Sequence, residues 1–122
     1  MPWTKDELGN IAKADDLRIA PFREDGMTPG TPTWIWSVVI EDGLFVRAYH
    51  GVDSRWYKAA VREKSGQISV AKTSYEVSFE QAETRLKDRI DEAYRTKYSG
   101  SPYLASMIGD QARAATICIR RR

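Results

Sequence analysis

The segment over residues 31–56 constrains the fold more than any other part of the chain. It reads TPTWIWSVVIEDGLFVRAYHGVDSRW. Residues 33–41 and residues 44–49 are rich in β-branched and aromatic residues, which predicts two β-strands whose side chains alternate between the two faces of a sheet. Asp42 and Gly43 between them form a dipeptide preferred in two-residue type I′ turns, because both central residues of that turn need positive φ. The segment therefore predicts a β-hairpin followed by a glycine-led loop.

The first strand of this hairpin is apolar on both faces. Two tryptophans and two branched residues share one face, namely Trp34, Trp36, Val38 and Ile40. Ile35 and Val39 lie on the other face. Such a strand has to be covered on both sides, as in a barrel flanked by a helix or by a second subunit.

Periodicity and capping signals predict the remaining elements. Thr4 and Glu7 have the spacing of a capping box at the start of a helix over residues 5–14. Further helices are predicted over about 54–63, over 83–98 and after Ser101-Pro102, and further strands over 17–22, 67–72, 75–80 and 114–120. We therefore expect residues 1–122 to form one mainly β (α+β) domain, a small six-stranded antiparallel barrel with flanking helices.

Composition argues against several classes of function. The 19 basic and 17 acidic residues give a net charge of only +2, so we expect no nucleic-acid partner. No stretch approaches the roughly 20 apolar residues of a membrane span, so we expect a soluble, cytoplasmic protein without a membrane partner. A single cysteine, Cys118, and a single histidine, His50, support neither a disulfide, a cysteine-based zinc site nor a nucleophilic triad. We expect no metal.

The loop after the hairpin carries the groups of an anion site. Gly51 would let a phosphate approach the backbone, and a helix beginning near Ser54 would offer free N–H donors. Arg55 adds a guanidinium and Trp56 a planar surface for stacking, with Lys58 one turn further on. The same residues also fit an N-capped helix whose tryptophan faces the core and whose arginine is solvated.

Two further features border this loop. Arg47 shares a strand face with Phe45 and Tyr49, so it could line a polar groove or lie on the surface against an aromatic neighbour. The Thr31-Pro32-Thr33 element suits a strand beginning or a sheet edge, where exposed backbone groups can hold a flavin-type ring. The same element also fits an ordinary transition from loop to strand without a binding role.

The chain resembles an uncharacterised bacterial family over nearly its whole length. The motifs that carry this resemblance are ADDLRIAPFREDG, TPGTPTWIWSVV, DGLFVRAYHG and SRWYKAA, with DRIDEAYRTKY and GSPYL further on. The middle segment, with its threonine-proline strand start, hairpin and glycine loop leading to a tryptophan, resembles the FMN-binding split-barrel superfamily. That superfamily includes pyridoxamine-phosphate oxidases and deazaflavin-dependent nitroreductases.

The resemblance implies a split barrel that forms a homodimer and binds FMN or a deazaflavin. It places the phosphate at the region after the hairpin, here Tyr49, Gly51, Ser54, Arg55 and Lys58. It places the ring near the strand start, here Thr31, Thr33 and Trp34. In an oxidoreductase of this kind we expect Arg47 or Tyr49 to orient a small organic acceptor. The sequence departs from the superfamily pattern in two places: Pro29-Gly30 replaces a basic pair, and Trp56 stands where a lysine is usual.

Three interpretations of function follow. The first is an oxidoreductase that moves hydride between the flavin and the acceptor, with no catalytic residue assigned. The second is a non-catalytic module that binds a small anion or cofactor in the same pocket. The third is an interaction domain that dimerises through its tryptophans and has no ligand.

Overall fold

Seven strands form one antiparallel sheet in the computed structural model, which describes residues 2–122. The strands are β1 (Arg18–Pro21), β2 (Thr33–Trp34), β3 (Ser37–Ile40), β4 (Gly43–Arg47), β5 (Ser65–Val70), β6 (Thr73–Gln81) and β7 (Thr116–Arg121). Their order across the sheet is β2-β1-β5-β6-β7-β4-β3. The outermost strands β2 and β3 are joined by only two residues, so the sheet curls into a half-barrel.

Five α-helices flank this sheet. They are α1 (Lys5–Lys13), α2 (Arg55–Glu63), α3 (Lys87–Lys97), α4 (Leu104–Met107) and α5 (Asp110–Arg113), with 3-10 turns at Gly51–Asp53 and Thr84–Leu86. The predicted capping box begins α1: the Glu7 N–H donates to Thr4 Oγ1 at 3.1 Å and the Thr4 N–H donates to Glu7 Oε1 at 3.0 Å. Over residues 2–122, no helix combines the length and the apolar character that crossing a bilayer requires.

The sheet separates two apolar clusters, one on each face. On one face Leu44 and Val46 of β4 pack in a cluster that also contains buried residues of α1 and α2. On the other face Phe45 packs with Ile90 and Tyr94 of α3. The predicted alternation along β4 is therefore confirmed, and both of its faces contribute to the core.

Helices cover both faces of the hairpin's first strand. Helix α3 packs against β3, and so does α1. Val38 belongs to the cluster that contains α3, while Val39 packs against the cluster that contains α1. The sequence left open whether a helix or a second subunit covers this strand. In the structure, helices of the same chain cover both faces of β3.

The predicted strand over residues 33–41 is interrupted, and this changes the strand count from six to seven. Trp34 pairs with Arg18 of β1, and the Ile35 N–H donates to the Leu17 carbonyl at 3.0 Å. From Ser37 onward the chain pairs instead with β4. The break at Ile35 and Trp36 is where the chain passes from one edge of the curled sheet to the other, which periodicity alone does not report.

The hairpin is confirmed, but its turn lies one residue earlier than predicted. Ile40 pairs with Gly43, and the two residues with positive φ are Glu41 at 47° and Asp42 at 61°. Gly43 lies in β4, where a Cβ atom would come within 2.8 Å of the Phe45 ring. The glycine is therefore needed for packing rather than for the turn.

The side chain of Ser37 is a buried hydroxyl whose lack of a hydrogen-bond partner can be tested by mutation. Ser37 is fully buried, and within residues 2–122 its Oγ has no hydrogen-bond partner. We expect Ser37→Ala to leave the free energy of unfolding unchanged or to raise it by up to about 1 kcal/mol, because an unpaired buried hydroxyl only carries a desolvation cost. Urea denaturation measures this change.

Thr116→Val is the matched control. Thr116 Oγ1 accepts from Arg47 Nε at 3.1 Å and donates to the Arg113 carbonyl at 2.7 Å. Its replacement should lower stability by about 1–3 kcal/mol. A comparable loss in Ser37→Ala would contradict the assignment of an unpaired hydroxyl.

Candidate functional site

A cavity of about 670 Å³ lies where the β2–β3 connection, the end of β4 and the start of α2 meet the segment before α4. Its walls are rich in aromatic rings, contributed by Trp34, Trp36, Tyr49, His50, Trp56 and Tyr103. Within the described residues the lining contains two arginines, Arg47 and Arg55, and no aspartate or glutamate. Its size and character suit a small aromatic molecule that carries negative charge.

The start of α2 supplies the polar end of the cavity. Ser54 is the N-cap residue, yet its hydroxyl makes no capping hydrogen bond. The first N–H groups of a helix lack intrahelical acceptors and carry a partial positive charge. Arg55 is exposed, and none of the ion pairs within residues 2–122 involves its guanidinium. These groups are free to bind an anion.

Several aromatic rings of the cavity are held by defined contacts. The Trp36 ring stacks on Tyr98, with 4.0 Å between the centroids and 3° between the planes. Tyr49 and Tyr103 meet edge to face at 6.0 Å. The Trp34 indole N–H donates to the Asp15 carbonyl at 2.6 Å, although 60% of this residue is exposed. Contacts within the protein therefore position these aromatic walls.

Arg47 reaches the same cavity but is fully buried. Its guanidinium donates to Asp91 Oδ1 at 2.5 Å, to the Met107 carbonyl at 3.0 Å, and to two further oxygens, Thr116 Oγ1 and the Lys87 carbonyl, both at 3.1 Å. Four of the five guanidinium donors are thereby used. The sequence left open whether Arg47 lines a groove or lies on the surface; it lies in the interior, where it shapes the cavity wall.

A small ionic network surrounds Arg47. Asp91 is buried and also accepts from Arg113 Nη1 through its second oxygen. Arg113 Nη2 donates to the exposed Asp88 at 3.2 Å. Tyr94 lies beside this network, with the Arg47 guanidinium carbon 5.5 Å from its ring centroid, and burial raises the pKa of Tyr94. Tyr94 therefore stays protonated and donates to the Trp36 carbonyl at 3.3 Å.

The cavity brings together most of the residues selected from the sequence. Those that line it are Thr33, Trp34, Arg47, Tyr49, Ser54, Arg55 and Trp56. Thr31 and Lys58 are exposed outside the lining. Gly51 also lies outside it: φ is +77°, and a Cβ atom would come within 2.6 Å of the Gln111 side chain. Glycine at this position is explained by packing against α5.

Sequence reasoning missed the part of the lining that lies far along the chain. Ser101, Tyr103 and Met107 join the cavity across more than 40 residues of intervening sequence. Nothing in the local pattern around Ser101-Pro102 pointed to a site. Trp36 could have been selected, because the alternation already placed it on the same face as Trp34.

The fold and the cavity define an α+β half-barrel protein with an aromatic pocket. The chain belongs to the family DUF2255, described as uncharacterised proteins conserved in bacteria, whose model matches residues 7–119. This confirms the resemblance to an uncharacterised bacterial family, while the resemblance to the FMN-binding split-barrel superfamily stays a prediction. No curated protein and no solved structure matches the chain.

Asp91 gives a test of the ionic network. Asp91→Ala would leave the Arg47 guanidinium buried without its carboxylate, so we expect a loss of about 3–5 kcal/mol in the free energy of unfolding. Asp88→Ala is the matched control, because Asp88 also contacts Arg113 but its side chain is 92% exposed. Exposed ion pairs contribute about 1 kcal/mol or less. Chemical denaturation measures both losses in the free energy of unfolding. Equal losses would show that the buried Arg47–Asp91 pair contributes no more to stability than the exposed pair.

Proposed function

We propose that this protein is an oxidoreductase that binds FMN or a deazaflavin cofactor in the aromatic cavity and moves hydride to a small organic acceptor. The observation that carries the proposal is the free Arg55 guanidinium beside an uncapped helix start, at one end of a cavity with aromatic walls. A flavin nucleotide has the same two parts, a planar ring system and a phosphate.

The donor set matches the phosphate of such a cofactor. Arg55 can offer a bidentate grip, Ser54 a hydroxyl, and the first turn of α2 its free N–H groups. Within the described residues the lining has no carboxylate that would repel the phosphate. Trp56 replaces the lysine expected from the superfamily pattern, so Arg55 would carry most of the charge on the protein side.

The aromatic walls match the ring of the cofactor. Thr33 and Trp34 would border the ring, and Tyr49 would orient the acceptor at the exposed side of the cavity. When bound, a flavin supplies the hydride-transfer chemistry. The residues of this chain would hold the ring, orient the acceptor and limit the access of water.

A second candidate function is supported by the exposed aromatic rim. Trp34 is 60% exposed, Tyr103 58% and Tyr49 41%, and all three border the cavity. Exposed aromatic patches of this kind also occur at protein interfaces. They favour the homodimer that the superfamily resemblance implies, and they support the alternative of an interaction domain without a ligand.

Arg55→Ala tests the proposed phosphate site. The substitution should weaken FMN binding by about 2 kcal/mol, or roughly 30-fold, because a charge-assisted contact is lost. The melting temperature of the free protein should hardly change, since Arg55 is exposed. Titration calorimetry with FMN, repeated with a deazaflavin nucleotide, measures the affinity.

Lys58→Ala is the matched control, because Lys58 is an exposed cation on the same helix but lies outside the cavity lining. Its affinity for FMN should stay within about threefold of the wild type, a difference below 1 kcal/mol. Equal weakening in the two variants would indicate general electrostatic attraction instead of a site at Arg55.

The wild-type protein separates the three interpretations. Binding of FMN or a deazaflavin, followed by reduction with a nicotinamide donor or a reduced deazaflavin, is expected for the oxidoreductase. Binding without reduction would identify a non-catalytic module. If neither cofactor raises the melting temperature and sedimentation shows a tight dimer, the interaction domain is the correct interpretation.

A further inference from the structure

A second cavity, of about 640 Å³, lies beside the edge strand β3, between α1 and α3. Its walls include Ala12 of α1, Val39 of β3 and Ala93 of α3, so much of its surface is apolar. Lys97, in the last turn of α3, also lines this cavity. This cavity shares no lining residue with the aromatic cavity described above.

The amine of Lys97 makes a hydrogen bond, but within the described residues it has no ion-pair partner. Its Nζ donates to the Ser37 carbonyl at 2.8 Å and lies 5.4 Å from the Tyr98 ring centroid. Over residues 2–122, no carboxylate lies within ion-pair distance of this amine. A half-buried lysine in such surroundings is poorly compensated in its charged form.

The other charged groups around this cavity are engaged elsewhere. Arg89 donates to Glu41, and Glu92 accepts from Arg95 at 2.8 Å. Asp15 is the charge that favours the protonated amine, but it acts only at longer range. The loss of solvent on burial has a larger effect than this attraction to Asp15 and lowers the pKa of Lys97 to about 8. Near neutral pH the amine is therefore uncharged far more often than a solvated lysine.

We propose that Lys97 forms a reversible imine with an apolar aldehyde or ketone held in this second cavity. The neutral amine can keep one N–H directed at the Ser37 carbonyl while its lone pair attacks the carbonyl carbon of the ligand. A C–N bond forms, the carbonyl oxygen leaves as water together with the two amine protons, and a C=N bond remains. No oxidant or reductant is needed.

The position of Lys97 distinguishes it from most lysines of the chain. Five are exposed to solvent, namely Lys5, Lys13, Lys58, Lys64 and Lys72. Lys97 is half-buried and lines a largely apolar cavity that can collect the carbonyl compound next to the amine. The proposal concerns a cavity and a chemistry that the flavin site does not use.

The test is labelling of the intact protein with hexanal and cyanoborohydride, which reduces an imine to a stable amine, followed by peptide mapping. At pH 7.5 we expect Lys97 to be labelled at least tenfold faster than Lys58. Its labelling rate should rise through a midpoint near pH 8, since burial lowers the pKa of this amine. Labelling of Lys97 at or below the rate of Lys58, or without this midpoint, would overturn the proposal.

Substitutions that fill the cavity test whether fast labelling of Lys97 requires binding of the aldehyde in the cavity or only an accessible amine. Ala93→Leu should slow labelling of Lys97 at least fivefold and leave Lys58 unchanged, because the added side chain occupies the space for the aldehyde. Ala12→Leu fills the same space from α1. It replaces Ala93→Leu in this experiment if that variant does not fold. Unchanged labelling of Lys97 in a folded variant would show that the cavity holds no carbonyl compound.

Discussion

The burial of the Arg47 guanidinium is the constraint on which the arrangement around the aromatic cavity depends. A charged group without solvent is costly unless its donors are paired, and here they are paired with groups from α3, α4 and β7. All four contacts come from residues at least 40 positions away from Arg47 in the sequence, so the hydrogen bonds tie distant segments to one point. Asp91 supplies the compensating charge, so the cavity wall and the helix packing are set together.

The break between β2 and β3 places the two cavities next to each other. Trp36 lines the aromatic cavity and stacks on Tyr98, while the next residue, Ser37, accepts from Lys97 at the end of the second cavity. A short piece of backbone therefore separates two sites of different chemical character. One offers a cation and aromatic rings, and the other offers an amine in apolar surroundings.

Much of the local structure could be predicted from the sequence, because it depends on neighbours a few residues apart. The capping box at Thr4 and the alternation along β4 are examples. The hairpin was also predictable, but its turn was displaced by one residue, since packing of Gly43 against Phe45 decides the register. The break at Ile35 and Trp36 was not predictable, because it depends on the pairing of β2 with β1 at one edge of the sheet and of β3 with β4 at the other.

By itself the sequence determined the hairpin, the two-sided burial of its first strand, and the grouping of Ser54, Arg55 and Trp56 at a helix start. Only the tertiary structure decided which polar groups are free. Arg47 and Arg55 both line the aromatic cavity, yet four of the five guanidinium donors of Arg47 bond to protein oxygens, whereas Arg55 makes no ion pair within residues 2–122. The difference arises because hydrogen-bond saturation and loss of solvent come from distant segments such as α3 and α4, whose approach is set by packing and not by local pattern.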